Sequence, residues 1–298
     1  MSNILLAILC LGLGKLLQNV RQFPESSALT LNSYVIYIAL PALILVQIPK
    51  VPLEPHVLAP VLCAWIIMLA SAGATWLCSR LFKWQPTTTG ALLLVITLGN
   101  TSFIGLPLID AHLGAPALPY AILYDQLGTF LALNILGIAF ATHYSGGTQT
   151  NAEPLWRKIV KFPPFGALLV GFVLHFFPLP VYLDEVLQRL AATLVPVVMV
   201  AVGLQWRLRI ERSELRYILF AIIFILGVEP LFAWGLVTLL HLEPIVAKTI
   251  VLEAAMPAMI STGALALMYQ LAPRMVSTII GYSLILSFAT VWLWSLVV

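Results

Sequence analysis

Charge is scarce in this sequence. Lys, Arg, Asp and Glu make up 9% of its 298 residues, where soluble domains carry roughly 25%. That excludes an ordinary water-soluble globule. The 61% hydrophobic content and mean hydropathy of +1.02 point the same way, to an all-α integral membrane protein with little soluble mass. Cysteine is sparse too. Cys10, Cys63 and Cys78 lie in apolar stretches without metal-ligand spacing, which implies buried thiols and no disulfide framework. HExxH, GxSxG, a glycine-rich phosphate loop and paired cysteines are all missing, so nothing favours an enzyme. The first residues, MSNILLAILCLGLGKLLQN, lack a basic n-region and a small-residue cleavage site. They read as a retained first span and not a signal peptide.

What is there is a series of apolar runs. A spanning helix needs roughly 20 mainly apolar residues, and ten stretches qualify: 3–19, 29–48, 57–79, 88–112, 118–141, 163–179, 186–204, 217–240, 245–270 and 275–297. The longest connection, HYSGGTQTNAEPLWRKIVK, is polar and too small to be a domain, and no nucleic-acid partner is expected. Arg21, Arg80, Lys83, Arg157, Lys158, Lys161, Arg207, Arg209, Arg212, Arg216 and Arg274 fall in alternate loops on one side, and only Lys50, Arg189 and Lys248 on the other. Lys15, near a span end, can snorkel to the crowded side. The positive-inside bias makes that side cytoplasmic. The expectation is a multi-pass protein of the cell's inner (plasma) membrane with both termini outside the cytoplasm. Trp65, Trp76, Trp84, Trp206, Trp292 and Trp294 are mostly near span ends and suit an interfacial belt.

Prolines suggest a chain folded twice, as repeats over 1–149 and 150–298. Span 2 carries Pro41 and span 7 Pro196; span 4 carries Pro107 and span 9 Pro257. A unit with an odd number of spans is inverted when repeated, and inverted repeats with matching broken helices are the sequence pointer to a secondary transporter. The stretch LGNTSFIGLP, Leu98 to Pro107, is the clearest break. Pro107 cannot donate its backbone bond and Gly105 weakens the helix. Asn100, Thr101 and Ser102 can satisfy freed backbone groups and still face a ligand. Span 9 has the same character, with Glu253 before Pro257 and Ser261 and Thr262 after it. Half-helix N-termini favour anions and C-terminal ends favour cations. The substrate-binding candidates are therefore Asn100, Thr101, Ser102, Gly105, Pro107, Pro257, Ser261 and Thr262.

NTSFIGLP, with IALPALIL in span 2 and AAMPA in span 9, resembles the auxin efflux carrier family, the bacterial relatives of plant PIN transporters, over essentially the whole chain. The resemblance implies a crossover of helices 4 and 9, shared with bile acid sodium symporters. It also implies a scaffold of helices 1, 2, 6 and 7 and a moving bundle of helices 3–5 and 8–10. Members carry small organic anions, including malonate, malate and auxin. The family often has Thr after the second proline, where this chain has Ala258 and Met259.

Charged groups near the centre of a span cost about 2.5–3.5 kcal/mol or more, so each asks for a reason. Glu253 precedes the span 9 break and is the first candidate for a cation or proton site. In the resembled symporters an acidic residue on this helix binds sodium, which makes Glu253 a candidate Na+ ligand here. Asp125 with Gln126 reads either as a second coupling site or as a cap on nearby crossover backbone. Glu229 precedes Pro230 and reads either as a coupling group or as a partner for a backbone group the proline frees. Asn134 reads as a helix–helix hydrogen bond, and Asp110 as interfacial.

The function these features suggest is a secondary carrier of small organic anions, mono- or dicarboxylates, working by elevator-type alternating access. The alternatives are a bile-acid-type sodium symporter and a transport-inactive membrane sensor. No organic cofactor is expected, with Na+ or H+ as the coupling ion. The expected partners are the anion, the bilayer and a second copy docked through the scaffold helices.

Overall fold

The computed structural model describes residues 2–20, 22–24, 26–50, 58–145, 154, 157, 161–177, 179–205 and 214–298. Arg21, Lys158, Trp206, Arg207, Arg209 and Arg212 lie outside the described residues. The described chain is helical throughout: α1 Ser2–Leu17, α2 Ser27–Lys50, α3 Ala59–Leu81, α4 Pro86–Thr97, α5 Leu106–Leu113, α6 Ala115–Tyr144, α7 Pro163–Leu174, α8 Val181–Leu204, α9 Leu215–Leu239, α10 Pro244–Ala254, α11 Ile260–Met268 and α12 Pro273–Val297. Among the described residues six helices, α2, α3, α6, α8, α9 and α12, are long and apolar enough to cross a membrane. α4 and α10 are too short because each stops at a break.

Proline explains much of the local geometry. Pro60, Pro86, Pro163, Pro244 and Pro273 stand in the first turn of α3, α4, α7, α10 and α12, where no intrahelical donor is needed. Pro41, Pro107 and Pro230 instead follow π-helical turns, at Val35–Ala39, Thr101–Gly105 and Phe224–Val228, each ending two residues before the proline. The widened turn relieves the clash between the proline ring and the preceding carbonyls. The carbonyl that Pro230 leaves without its usual donor is that of Leu226, and the Trp294 indole N–H donates to it at 3.1 Å.

The chain forms two compact units. The first comprises Met1–Val57, Leu106–Ile122 and Pro154–Trp206; the second comprises Leu58–Gly105, Leu123–Glu153 and Arg207–Val298. In the first unit α1 and α8 approach backbone to backbone. A Cβ on Gly14 would meet the Val200 carbonyl oxygen, and one on Gly203 the Leu11 carbonyl oxygen, both at 2.3 Å. Gln18 closes the pair by donating to the carbonyls of Gly203 and Leu204 at 2.9 and 3.0 Å. Small residues are how helices without a hydrophobic drive to associate come this close. In α8 the helix is interrupted at Thr193, three residues before Pro196, and the Thr193 hydroxyl pairs with that of Tyr34 at 2.9 Å.

The second unit carries the two broken helices. Its packing uses side chains that the sequence pattern placed elsewhere. Trp65 is not merely interfacial: its indole N–H donates to the Leu127 carbonyl at 3.0 Å. Asn134 bonds within its own helix, to the Phe130 carbonyl at 2.9 Å, and not to a neighbouring helix.

Candidate functional site: the crossover of two broken helices

α4 ends at Thr97, and Leu98 turns extended, with φ −117° and ψ 98°. α10 ends at Ala254, and the chain is extended again at Met259, φ −67° and ψ 131°, before α11 begins. Pro257 lies between, and a proline disfavours helix for the residue before it as well as removing its own donor. The two unwound segments satisfy each other. Gly99 and Ala258 form an antiparallel bridge. The Asn100 N–H donates to the Pro257 carbonyl at 2.7 Å, and the Met259 N–H to the Leu98 carbonyl at 2.9 Å. Ser283 of α12 accepts from the Ala258 N–H at 3.2 Å. Open backbone in an apolar interior is tolerated only when its polar groups find partners of this kind.

Asn100 is buried, its Oδ1 accepting from the Phe103 N–H at 3.3 Å while its Nδ2 has no hydrogen-bond partner. Thr101 and Ser102 both donate to Oδ1 of Asp125 at 2.5 Å, and the Gln126 amide donates to Oδ2 at 2.6 Å. Asp125 therefore ties the π turn of the crossover to α6. These contacts are made to side chains and not to the crossover backbone. The Thr262 hydroxyl donates to the Met259 carbonyl at 2.6 Å at the start of α11, and Ser261 beside it is half-buried. Pro107 is buried in α5, beyond the boundary of this unit.

Glu253 occupies the last turn of α10, is fully buried, and neither carboxyl oxygen has a hydrogen-bond partner. It fills the space that the missing side chain of Gly105 leaves: a Cβ there would lie 2.5 Å from Glu253 Oε2. Next to it is a cavity of ≈ 10 Å³, about the room one water needs, lined by Thr97, Gly99, Thr101, Tyr124, Thr129, Glu229, Glu253 and apolar neighbours. Thr97 Oγ1 is also without a partner. Glu229 also lines this cavity, and the carbonyl that Pro230 frees takes its hydrogen bond from Trp294 instead. Sequence reasoning missed Thr97 and Thr129.

A family model for membrane transport proteins matches residues 2–295. The chain belongs to the membrane transport protein family. This family member is similar to an uncharacterized transporter of Methanothermobacter thermautotrophicus, 30% identical over 300 residues that cover 99% of this chain and 97% of that protein. It is also similar to an uncharacterized transporter of Methanocaldococcus jannaschii, 27% identical over 279 residues, 91% of this chain and 89% of that one. In a membrane transport protein, a pair of interrupted helices held together at their breaks is where ligand-binding backbone is expected.

Proposed function

We propose that this membrane transport protein is a secondary carrier of a small organic anion, a mono- or dicarboxylate, with its site at the crossover. The single observation that carries the reading is the bridge of Asn100 and Pro257, which brings two interrupted helices together at their open ends. The half-helix N-termini at Thr101 and Ile260 offer partial positive charge to an anion. The unpartnered Nδ2 of Asn100 offers a donor. The overall plan would be ten spans in two inverted five-helix repeats, with one bundle moving against a scaffold in elevator fashion, as in auxin efflux carriers.

Glu253 supports a coupling cation beside the anion. A carboxyl in the last turn of a helix faces the negative end of the dipole, and its two oxygens have no other partner. Those oxygens and the Thr97 hydroxyl, around a space of about one water, suit Na+ as well as H+. Sodium there would supply charge neutralisation to Glu253. The sodium-symporter alternative is open to a direct test. A thermal-shift screen of mono- and dicarboxylates, with sodium and with potassium, separates the readings. Stabilisation by a carboxylate supports the carrier; stabilisation by sodium alone, lost in Glu253→Gln, supports the metal. No response to any carboxylate in either salt counts against an organic-anion site.

A further inference from the structure

Residues of α3, α4 and the end of α6 line a groove of ≈ 540 Å³ in the second unit. It shares no lining residue with the cavity beside Glu253. Gly73 and Trp76 line it from α3, Leu93 from α4, and Phe140, His143 and Tyr144 from α6. Gly73, Trp76 and His143 are exposed, so the groove is open to its surroundings. Gly73 leaves room in it, because a Cβ there would meet nothing within 4 Å. Tyr144 is set close against α4: a Cβ on Gly90 would lie 2.6 Å from that of Tyr144.

One end of the groove is basic. α6 ends at Tyr144, and α3 ends at Leu81, one residue past Arg80. The Arg80 guanidinium lies over the Trp76 ring, 5.4 Å from its centroid, which keeps a cation on the groove wall. The His143 ring meets that of Tyr144 edge-on at 4.8 Å. Among the described residues no acidic one lines the groove.

The two parts of this space do different work in a bilayer. Its apolar lining meets lipid tails, which are as apolar as Leu, so that part selects no lipid over another. Selection falls to the helix ends, where Arg80 offers a charge-assisted hydrogen bond to a phosphate. A zwitterionic headgroup brings an ammonium as well, and the lining supplies no carboxylate to receive it.

We propose that this groove binds an anionic phospholipid, with one acyl chain along Gly73 and Trp76 and the phosphate held by Arg80 and His143. Leu93 stands one turn before Thr97, where α4 breaks, so the bound lipid supports the helix that leads into the crossover.

The test is a thermal-stability titration of the detergent-purified chain with dioleoyl phosphatidylglycerol, dioleoyl phosphatidylcholine or inorganic phosphate alone. Phosphatidylglycerol should raise the melting temperature at lower concentration than phosphatidylcholine, and phosphate alone should leave it unmoved. Arg80→Gln should weaken the apparent affinity for phosphatidylglycerol about fivefold, as expected for one basic residue at an anionic surface, and leave that for phosphatidylcholine unchanged. Gly73→Leu, which fills the groove, should weaken binding of both lipids. Arg216→Gln removes a basic residue outside the groove lining and should change neither. Equal responses to the two lipids overturn the site, as does an undiminished phosphatidylglycerol response in Arg80→Gln. Equal losses in Arg80→Gln and Arg216→Gln overturn it too, by showing general charge attraction. A response to phosphate alone as large as to phosphatidylglycerol overturns the role of the acyl chain. If Gly73→Leu does not fold, Ala139→Leu fills the groove from α6, and unchanged lipid responses in that variant overturn the groove. Loss of a dimer on filling the groove, with lipid responses intact, overturns the lipid in favour of a second copy of the chain.

Discussion

The Asn100 N–H and the Pro257 carbonyl, 2.7 Å apart, join the two broken helices at their open ends. The proline can only accept and the asparagine backbone supplies the donor, so each interruption satisfies the other. The pairing uses the backbone of Asn100 and leaves its side-chain Nδ2 unspent. What holds the crossover together is thus separate from what it leaves available to a ligand.

Gly105→Ala should disable the proposed coupling site at Glu253 with little damage to the fold. The added Cβ lands 2.5 Å from Oε2 of Glu253, the movable end of a side chain and not backbone. The cost in stability should be about 1–3 kcal/mol, typical of inserting a methyl into a packed interior. The shift in thermal stability that pH or sodium gives the wild type should be lost. An unaltered response would place the cation elsewhere.

Asp125→Asn should loosen the π turn. The carboxyl accepts from Thr101, Ser102 and Gln126, and an amide replaces one acceptor with a donor. At least one buried donor is left unpaired, at about 1–3 kcal/mol. Denaturation midpoints should fall accordingly, and hydrogen exchange at residues 101–105 should speed up. Unchanged exchange there would show that Asp125 does not hold the turn.

The breaks themselves were legible in the sequence because Gly, Pro and Asn act locally: Pro257 stops α10 through its own missing N–H. What bonds to what across the breaks was not. Asp125 stands 24 residues from Thr101 in the chain. No periodicity relates those two positions, since α6 passes through two π turns, Tyr124–Thr129 and Leu133–Gly137, that rotate its faces. Glu229 was read against Pro230 because they adjoin. The capture of the Leu226 carbonyl by Trp294 is long-range and belongs to the fold.

Trp294→Phe should cost about 1–3 kcal/mol by leaving the Leu226 carbonyl unpaired. Ligand responses should stay intact, since neither Leu226 nor Trp294 lines the cavity beside Glu253. A loss of stability well below that range would show that the carbonyl finds another donor.

Within the first unit, Gly14→Ala and Gly12→Ala make a matched pair. A Cβ on Gly14 meets the Val200 carbonyl oxygen at 2.3 Å, whereas one on Gly12 meets nothing within 4 Å. Gly14→Ala should lower the melting temperature, because backbone must move apart. Gly12→Ala should leave it unchanged or raise it slightly, as alanine is the better helix former by about 1 kcal/mol. Equal effects would contradict the close approach of α1 and α8.

The most direct measurement is flux of labelled small mono- and dicarboxylates into proteoliposomes holding the wild type or Asn100→Ala. The account predicts uptake of at least one carboxylate by the wild type, loss of that uptake in Asn100→Ala, and a melting temperature for the variant close to the wild type's. Absence of uptake by the wild type under pH gradient, sodium gradient and membrane potential alike would contradict the carrier. Undiminished uptake by Asn100→Ala would contradict the crossover as its site.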